Sequence, residues 1–253
     1  MVSIEQAMNG YRIVDLTHTL EEGIPRYSPE FTPFGHPKFL DTNLGDTFNM
    51  YGIFMHEHMG THFDAPAHNP PRKECEIWVD EVPLETFMGP LKVIDMTHKG
   101  NDTEIGSDDI RAWEKKNAPI AQGDIVIIKT GWFKKWEVRK PAGWGKAQWP
   151  NPYYKDFPGL SGDGAGYLVK KGIKLVGIDT GDIDTYTVLI RAYPPHNEEE
   201  PAHLAFLGNN IPLMEGIDNL DKVPAVGAYF IGLPMKIGHG SGAPIRALAL
   251  VPK

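Results

Sequence analysis

The sequence predicts a mixed α/β fold, a mixed sheet with few helices. Three observations lead there. Short β-branched or apolar runs recur between Gly, Pro, Asn and Asp turn signals. Few segments carry a helix cap and helical spacing. One strand–helix–strand succession lies midway along the chain, whereas the remaining strands follow one another with too few helices for strict alternation.

In chain order, the predicted strands are 11–16 (YRIVDL), 50–55 (MYGIFM), 91–96 (LKVIDM), 124–129 (DIVIIK), 173–178 (IKLVGI), 226–233 (VGAYFIGL) and 246–251 (RALALV). A first helix is predicted at Ser107–Lys116, where a serine cap precedes an acidic first turn. A second, at 161–171, starts the same way, although Gly162, Gly164 and Gly166 lower its propensity. A short third covers 202–207. The order 124–129, 161–171, 173–178 predicts a right-handed crossover between parallel strands.

Inside that crossover, residues 132–159 carry Trp132, Trp136, Trp144, Trp149, Tyr153, Tyr154 and Phe157 among prolines and glycines. So long and aromatic a connection either roofs a satellite core or serves as a lid or subunit contact. No repeat or linker divides the chain, so 1–253 reads as one domain.

A net charge of −8 leaves no basic field for phosphate backbones, which excludes nucleic acid as a partner. The N-terminus lacks the regions of a signal peptide and no apolar run is long enough to span a bilayer, so a cytoplasmic protein without a membrane partner is expected. Cys75 stands alone, which rules out an internal disulfide or a CxxC zinc knuckle. Any metal must then be held by imidazole and carboxylate.

Residues 56–68, HEHMGTHFDAPAH, hold four of the ten histidines. The informative positions are His58, His62, Asp64 and His68. On one straight strand His58 and His68 would lie ~33 Å apart. On a straight helix Asp64 would point about 160° away from His62, and Gly60 and Pro66 are poor helix-interior residues. What remains is a folded loop delivered by the 50–55 strand, with Gly60 supplying backbone freedom and Pro66 ending the excursion. His58, His62 and Asp64 then form a three-ligand set that leaves coordination positions open, as catalytic sites do. Zinc suits it first, manganese or iron next. His56 is surplus to that set, and a surface or supporting place fits it better than ligation.

The stretch His58-Met-Gly-Thr-His62-Phe-Asp64-Ala-Pro66-Ala-His68 resembles the HxGTHxDxPxH signature of the metal-dependent cyclase family, which includes bacterial kynurenine formamidases and isatin hydrolases. Asp15-Leu-Thr-His18, Lys129-Thr-Gly-Trp132, Gly177-Ile-Asp179-Thr180 and Gly240-Ser-Gly-Ala-Pro244 extend the likeness over nearly the whole chain. The resemblance implies a swivelling β/β/α domain assembled as a homodimer or homotetramer. It implies that His58, His62 and Asp64 bind the principal metal and that His68 transfers the proton. It places His203 and Glu215, in PAHLAFLGNNIPLMEGIDNL, as ligands of a second ion. One or two ions per subunit, Zn2+ or Mn2+, are thus implied. Tyr27 stands where formamidases set an aromatic against the substrate ring, tyrosine replacing tryptophan.

Other motifs are set aside. GDGAG at 162–166 lacks the GxGxxG spacing and does not directly follow a strand. Ser241 is preceded two residues earlier by His239, so no GxSxG nucleophile elbow forms. Asp179, Asp182 and Asp184 are not followed by a calcium loop closing on glutamate, and they read as braces at the end of the 173–178 strand. The expected activity is hydrolysis of an aryl amide, formamide or lactam C–N bond by metal-activated water. Its rivals are lactone hydrolysis or cyclisation on the same fold, and a non-catalytic metal-binding protein.

Overall fold

The computed structural model describes residues 4–28, 30–69, 76–139, 151–192 and 199–253. Its strands are β1 (Tyr11–Asp15), β2 (Lys38–Leu40), β3 (Met50–Tyr51), β4 (His62–Asp64), β5 (Met88–Asp95), β6 (Glu104–Ile105), β7 (Ile125–Lys129), β8 (Gly159–Leu160), β9 (Leu175–Ile178), β10 (Leu213–Glu215), β11 (Ala228–Pro234) and β12 (Gly242–Pro252). Its helices are α1 (Ile4–Met8), α2 (Ser107–Lys116), α3 (Gly162–Lys171), α4 (Tyr186–Ala192) and α5 (Pro201–Leu207). The main sheet runs β1-β12-β11-β5-β7-β9-β10-β4, and β4 pairs again with β12. From β12 round to β4 the sheet therefore closes on itself, with β1 branching outward from β12. Neighbours β5, β7, β9 and β10 are parallel, whereas β4, β11 and β12 pair antiparallel with theirs. The result is the mixed sheet with few helices of the swivelling β/β/α architecture.

Burial on both faces explains the sequence of β7. Ile125 and Ile127 point into the closed sheet with Leu91, Val93, Phe63 and Met214, while Val126 and Ile128 pack outward with Ile110, Trp113, Leu168 and Phe206 of the helices. Each such buried side chain contributes roughly 1.5–3 kcal/mol. The parallel pairing of β7 with β9, with α3 between them in the chain, is the pairing and element order expected of the crossover.

The two longer helices form where predicted, but the predicted serine cap holds only for α3; in α2 Gly106 is the N-cap residue and Ser107 is already the first helical residue. Asp109 accepts the Gly106 N–H at the start of α2, and Ser161 Oγ accepts the Gly164 N–H in α3. The glycines that weaken α3 locally have a packing reason: a Cβ on Gly164 would lie 2.4 Å from the Ile105 carbonyl oxygen. Helix α4 is unpredicted, because its Tyr-Thr-Val-Leu-Ile run carries low helix propensity.

The predicted 50–55 strand is corrected. Only Met50–Tyr51 is strand, and it pairs with β2 in a separate two-stranded ribbon. Phe39, Tyr51, Ile53 and Phe54 are exposed there, so an apolar run that reads as core lies on the surface. That ribbon does not enter the main sheet; the histidine motif supplies its own strand, β4. Around the 132–159 connection, Trp132, Tyr153, Tyr154 and Phe157 form a buried cluster with Leu189. Trp144, Trp149 and Cys75 lie outside the described residues.

Candidate metal centre

The motif is three pieces of backbone rather than one loop. His58 precedes a turn at Gly60, whose φ of +71° is left-handed; His62–Asp64 is strand; Pro66–His68 is a single 3-10 turn. The strand alternates polar, apolar, polar, so Phe63 enters the closed core while His62 and Asp64 share the outer face. Register then brings a distant carboxylate to the motif: Glu215 of β10 lies directly opposite His62. On the other side Gly242 of β12 lies opposite Asp64, and a Cβ there would stand 2.5 Å from His58 Cε1. Glycine is what leaves room for the His58 ring.

Helix α5 brings the last donor. Asp184 receives the backbone N–H groups of Ala202 and His203 at 2.8 and 3.0 Å, and its Oδ2 also holds His203 Nδ1 at 2.8 Å. One carboxylate thus caps the helix and turns the imidazole so that Nε2 faces Glu215 Oε1 at 3.6 Å and Asp64 Oδ2 at 4.0 Å. His62 is oriented alike: Nδ1 donates to the Gly60 carbonyl at 3.1 Å, leaving Nε2 3.3 Å from Asp64 Oδ1 and 3.6 Å from Glu215 Oε2. His58 Nδ1 approaches Asp64 Oδ1 at 2.5 Å.

His58, His62, Asp64, His68, His203 and Glu215 are therefore brought together in one basin, with Asp64 between two halves. Its floor is buried: His62, Asp64, His203 and Glu215 are 1–4% exposed. His58 is half-buried and His68 is exposed at the mouth, its ring 3.9 Å from that of His58.

Burial and the nearby Asp64 charge push Glu215 up to about 7. Burial also opposes charge on His62, yet Asp64 and Glu215 lift it to about 9. Burial likewise opposes charge on His203, which Asp182 and its other acidic neighbours hold well above the usual imidazole range. The carboxylates of the basin thus demand positive charge, which protons provide when no ion is bound. Imidazole nitrogens and carboxylate oxygens facing one another at 3.3–4.0 Å suit a divalent ion that displaces those protons. His68 behaves differently. Crowding of its ring by the surrounding protein first, then the imidazoles of His58, His203 and His62, hold it well below the usual imidazole range against the attraction of Asp64, so the ring is neutral although the residue reaches solvent at the mouth.

Tyr27 is not among the converging donors. It packs on Phe31 and Tyr154 at 5.8 and 5.6 Å, and Phe31 meets His56 at 5.2 Å. His56 is partly buried beside the basin and does not join it. Sequence reasoning gave no role to His18, which stacks on Trp136 at 4.0 Å with an interplanar angle of 6°. Its backbone N–H donates to Thr61 Oγ1, which ties it to the residue before His62.

Burial holds His18 down to about 4, against the attraction of Asp218. The unfolded chain takes up this proton near pH 6.5 and the folded chain resists it until about 4. Stability from this group is therefore complete above pH 6.5 and falls as pH drops through that window, by about 3 kcal/mol. Denaturant titrations of metal-free protein across the window are expected to show this loss reduced by that amount in His18→Phe, which keeps the stack on Trp136. An unchanged pH dependence in the variant would refute the assignment.

Buried acids that demand a cation, beside an imidazole left in solvent, are the working parts of a metal-dependent hydrolase, and that is the class this fold and site define. The putative cyclase family model matches residues 14–185, and the chain belongs to this family. It is 34% identical over 218 residues to an isatin hydrolase of Roseibium aggregatum, covering 83% of this chain and 77% of that protein. A kynurenine formamidase of Geobacillus thermodenitrificans is 27% identical over 92% of this chain and 95% of its own. The structure of isatin hydrolase A from Labrenzia aggregata bound to benzyl benzoate superposes with a TM-score of 0.82 at 31% identity, covering 98% of this chain and 96% of that one.

Proposed function

We propose that this chain hydrolyses the C–N bond of an aryl amide, formamide or lactam, using zinc or manganese held by His58, His62, Asp64, His203 and Glu215. One observation carries the reading: a buried floor of two carboxylates and oriented imidazoles opens to solvent beside an uncharged imidazole, His68. Relatives named isatin hydrolase and kynurenine formamidase support the substrate class.

A divalent ion bound there supplies Lewis acidity toward the carbonyl oxygen and makes water a nucleophile near neutral pH. His68 accepts the proton that water loses as the new C–O bond forms, and returns it to nitrogen as the C–N bond breaks. Asp184 and the Gly60 carbonyl keep His203 and His62 aimed throughout. The rings of Tyr27, Phe31, Trp136 and Tyr153 flank the basin through His56 and His18, a wall suited to an aryl group.

The test is metal analysis coupled to a panel of an aryl formamide, an aryl lactam such as isatin, and a lactone, assayed before and after chelation. The expected result is stoichiometric metal, C–N cleavage, loss of turnover on chelation and recovery with zinc or manganese. Turnover that survives complete metal removal would overturn the reading, and activity confined to the lactone would replace it with the lactonase alternative.

A further inference from the structure

Ser241 is no nucleophile, yet the structure places it against the basin. It immediately precedes β12, where the Ala65 N–H donates to its carbonyl oxygen at 2.9 Å and Gly242 pairs with Asp64. Its Oγ lies 3.1 Å from His58 Nε2. On its far side stands Glu57, whose Oε2 takes the Ser241 hydroxyl at 2.7 Å, the Ser241 N–H at 3.0 Å and the Gly242 N–H at 3.3 Å. A carboxylate can only accept, so the single hydroxyl proton goes to Glu57. Toward His58 the same oxygen is then left with lone pairs, and His58 Nε2 must be the donor.

From this chain of donors we infer that Glu57 and Ser241 are positioning residues that fix the tautomer of His58. With an ion bound they would hold the hydrogen on Nε2 and leave the Nδ1 lone pair free on the side facing Asp64, where without an ion a proton lies between Nδ1 and Oδ1, 2.5 Å apart. His62 and His203 have their outer nitrogens held by the Gly60 carbonyl and by Asp184. His58 has neither kind of partner on Nε2; a serine, which could donate or accept, serves it, and Glu57 removes the ambiguity. Without the pair, His58 would divide between two tautomers and the ring would lose its anchor, so metal affinity falls while the fold remains.

The inference rests on His58 being a ligand, and the experiment separates the two. Zinc affinity is measured by competition with a chromophoric chelator for the wild type, Ser241→Ala, Ser241→Thr and Glu57→Ala. Long-range 1H–15N spectra of histidine-labelled, zinc-loaded protein read which ring nitrogen of His58 carries the hydrogen. The expected result is an Nε2–H on His58 in the wild type, and affinity about 10–100-fold weaker in Ser241→Ala and Glu57→Ala, with Ser241→Thr recovering most of it. If Ser241→Ala does not fold, Glu57→Ala carries the same expectation. Wild-type affinity in the folded alanine variants, or an Nδ1–H on His58, would overturn the inference while leaving the metal centre standing. A wild type that binds no zinc or manganese would instead overturn the reading of the basin itself.

Discussion

Asp64→Asn is expected to empty the basin of metal and to lower turnover on the order of 10³-fold. Asp64 is 1% exposed and faces both halves of the site: Oδ1 lies 2.5 Å from His58 Nδ1 and 3.3 Å from His62 Nε2, and Oδ2 lies 4.0 Å from His203 Nε2. Asparagine keeps the shape but removes one negative charge and replaces one acceptor oxygen with a donor. The amide N–H2 then confronts imidazole nitrogens that are needed as lone pairs, and Glu215 alone balances the ion. A bound ion's Lewis acidity contributes several kcal/mol to the transition state, and each 1.36 kcal/mol is a decade in rate, which gives the magnitude. Metal analysis after dialysis and turnover on the aryl panel check it, with circular dichroism to establish that the variant is folded. Full metal occupancy at wild-type turnover would remove Asp64 from the centre.

His68→Ala should separate chemistry from metal binding. His68 ends the Pro66–His68 turn and is exposed, whereas the groups of the floor are buried, so truncating it leaves the two carboxylates and His62, His58 and His203 in place. Removing a proton-transferring side chain costs about 10²–10⁴-fold. The expected outcome is that loss in kcat with metal content unchanged. Lost metal would make His68 a ligand, a role open to it because it shares ligating distance with His58 and Asp64. Unaltered kcat would take it out of the mechanism.

Much of the fold is legible because its signals are local. Ser107–Lys116 forms at the predicted bounds, since a first-turn acid, a last-turn lysine pair and one apolar stripe all lie within ten residues. The β7 run, Ile125–Lys129, is plain from its unbroken β-branched residues. The 50–55 segment misleads because apolar runs of strand and of exposed ribbon look alike, and only its failure to pair with the main sheet distinguishes them. The motif itself reads as a loop because no straight element spans 58–68; a three-residue strand between two turns satisfies the same constraint, with Phe63 anchoring it. Ser241 and Glu57 are invisible in advance, because 184 residues separate them and no spacing rule connects them.

The sequence by itself determined the donors. One short stretch with four imidazoles and two carboxylates, and a single cysteine elsewhere, points the chemistry to nitrogen and oxygen ligands. Tertiary structure alone decided how those donors meet. Strand register set Glu215 opposite His62, Asp184 turned His203 inward from α5, and β12 carried Ser241 to the back of His58. Those are contacts across more than a hundred residues, or between separate elements, and they exist only once the sheet has closed on β4.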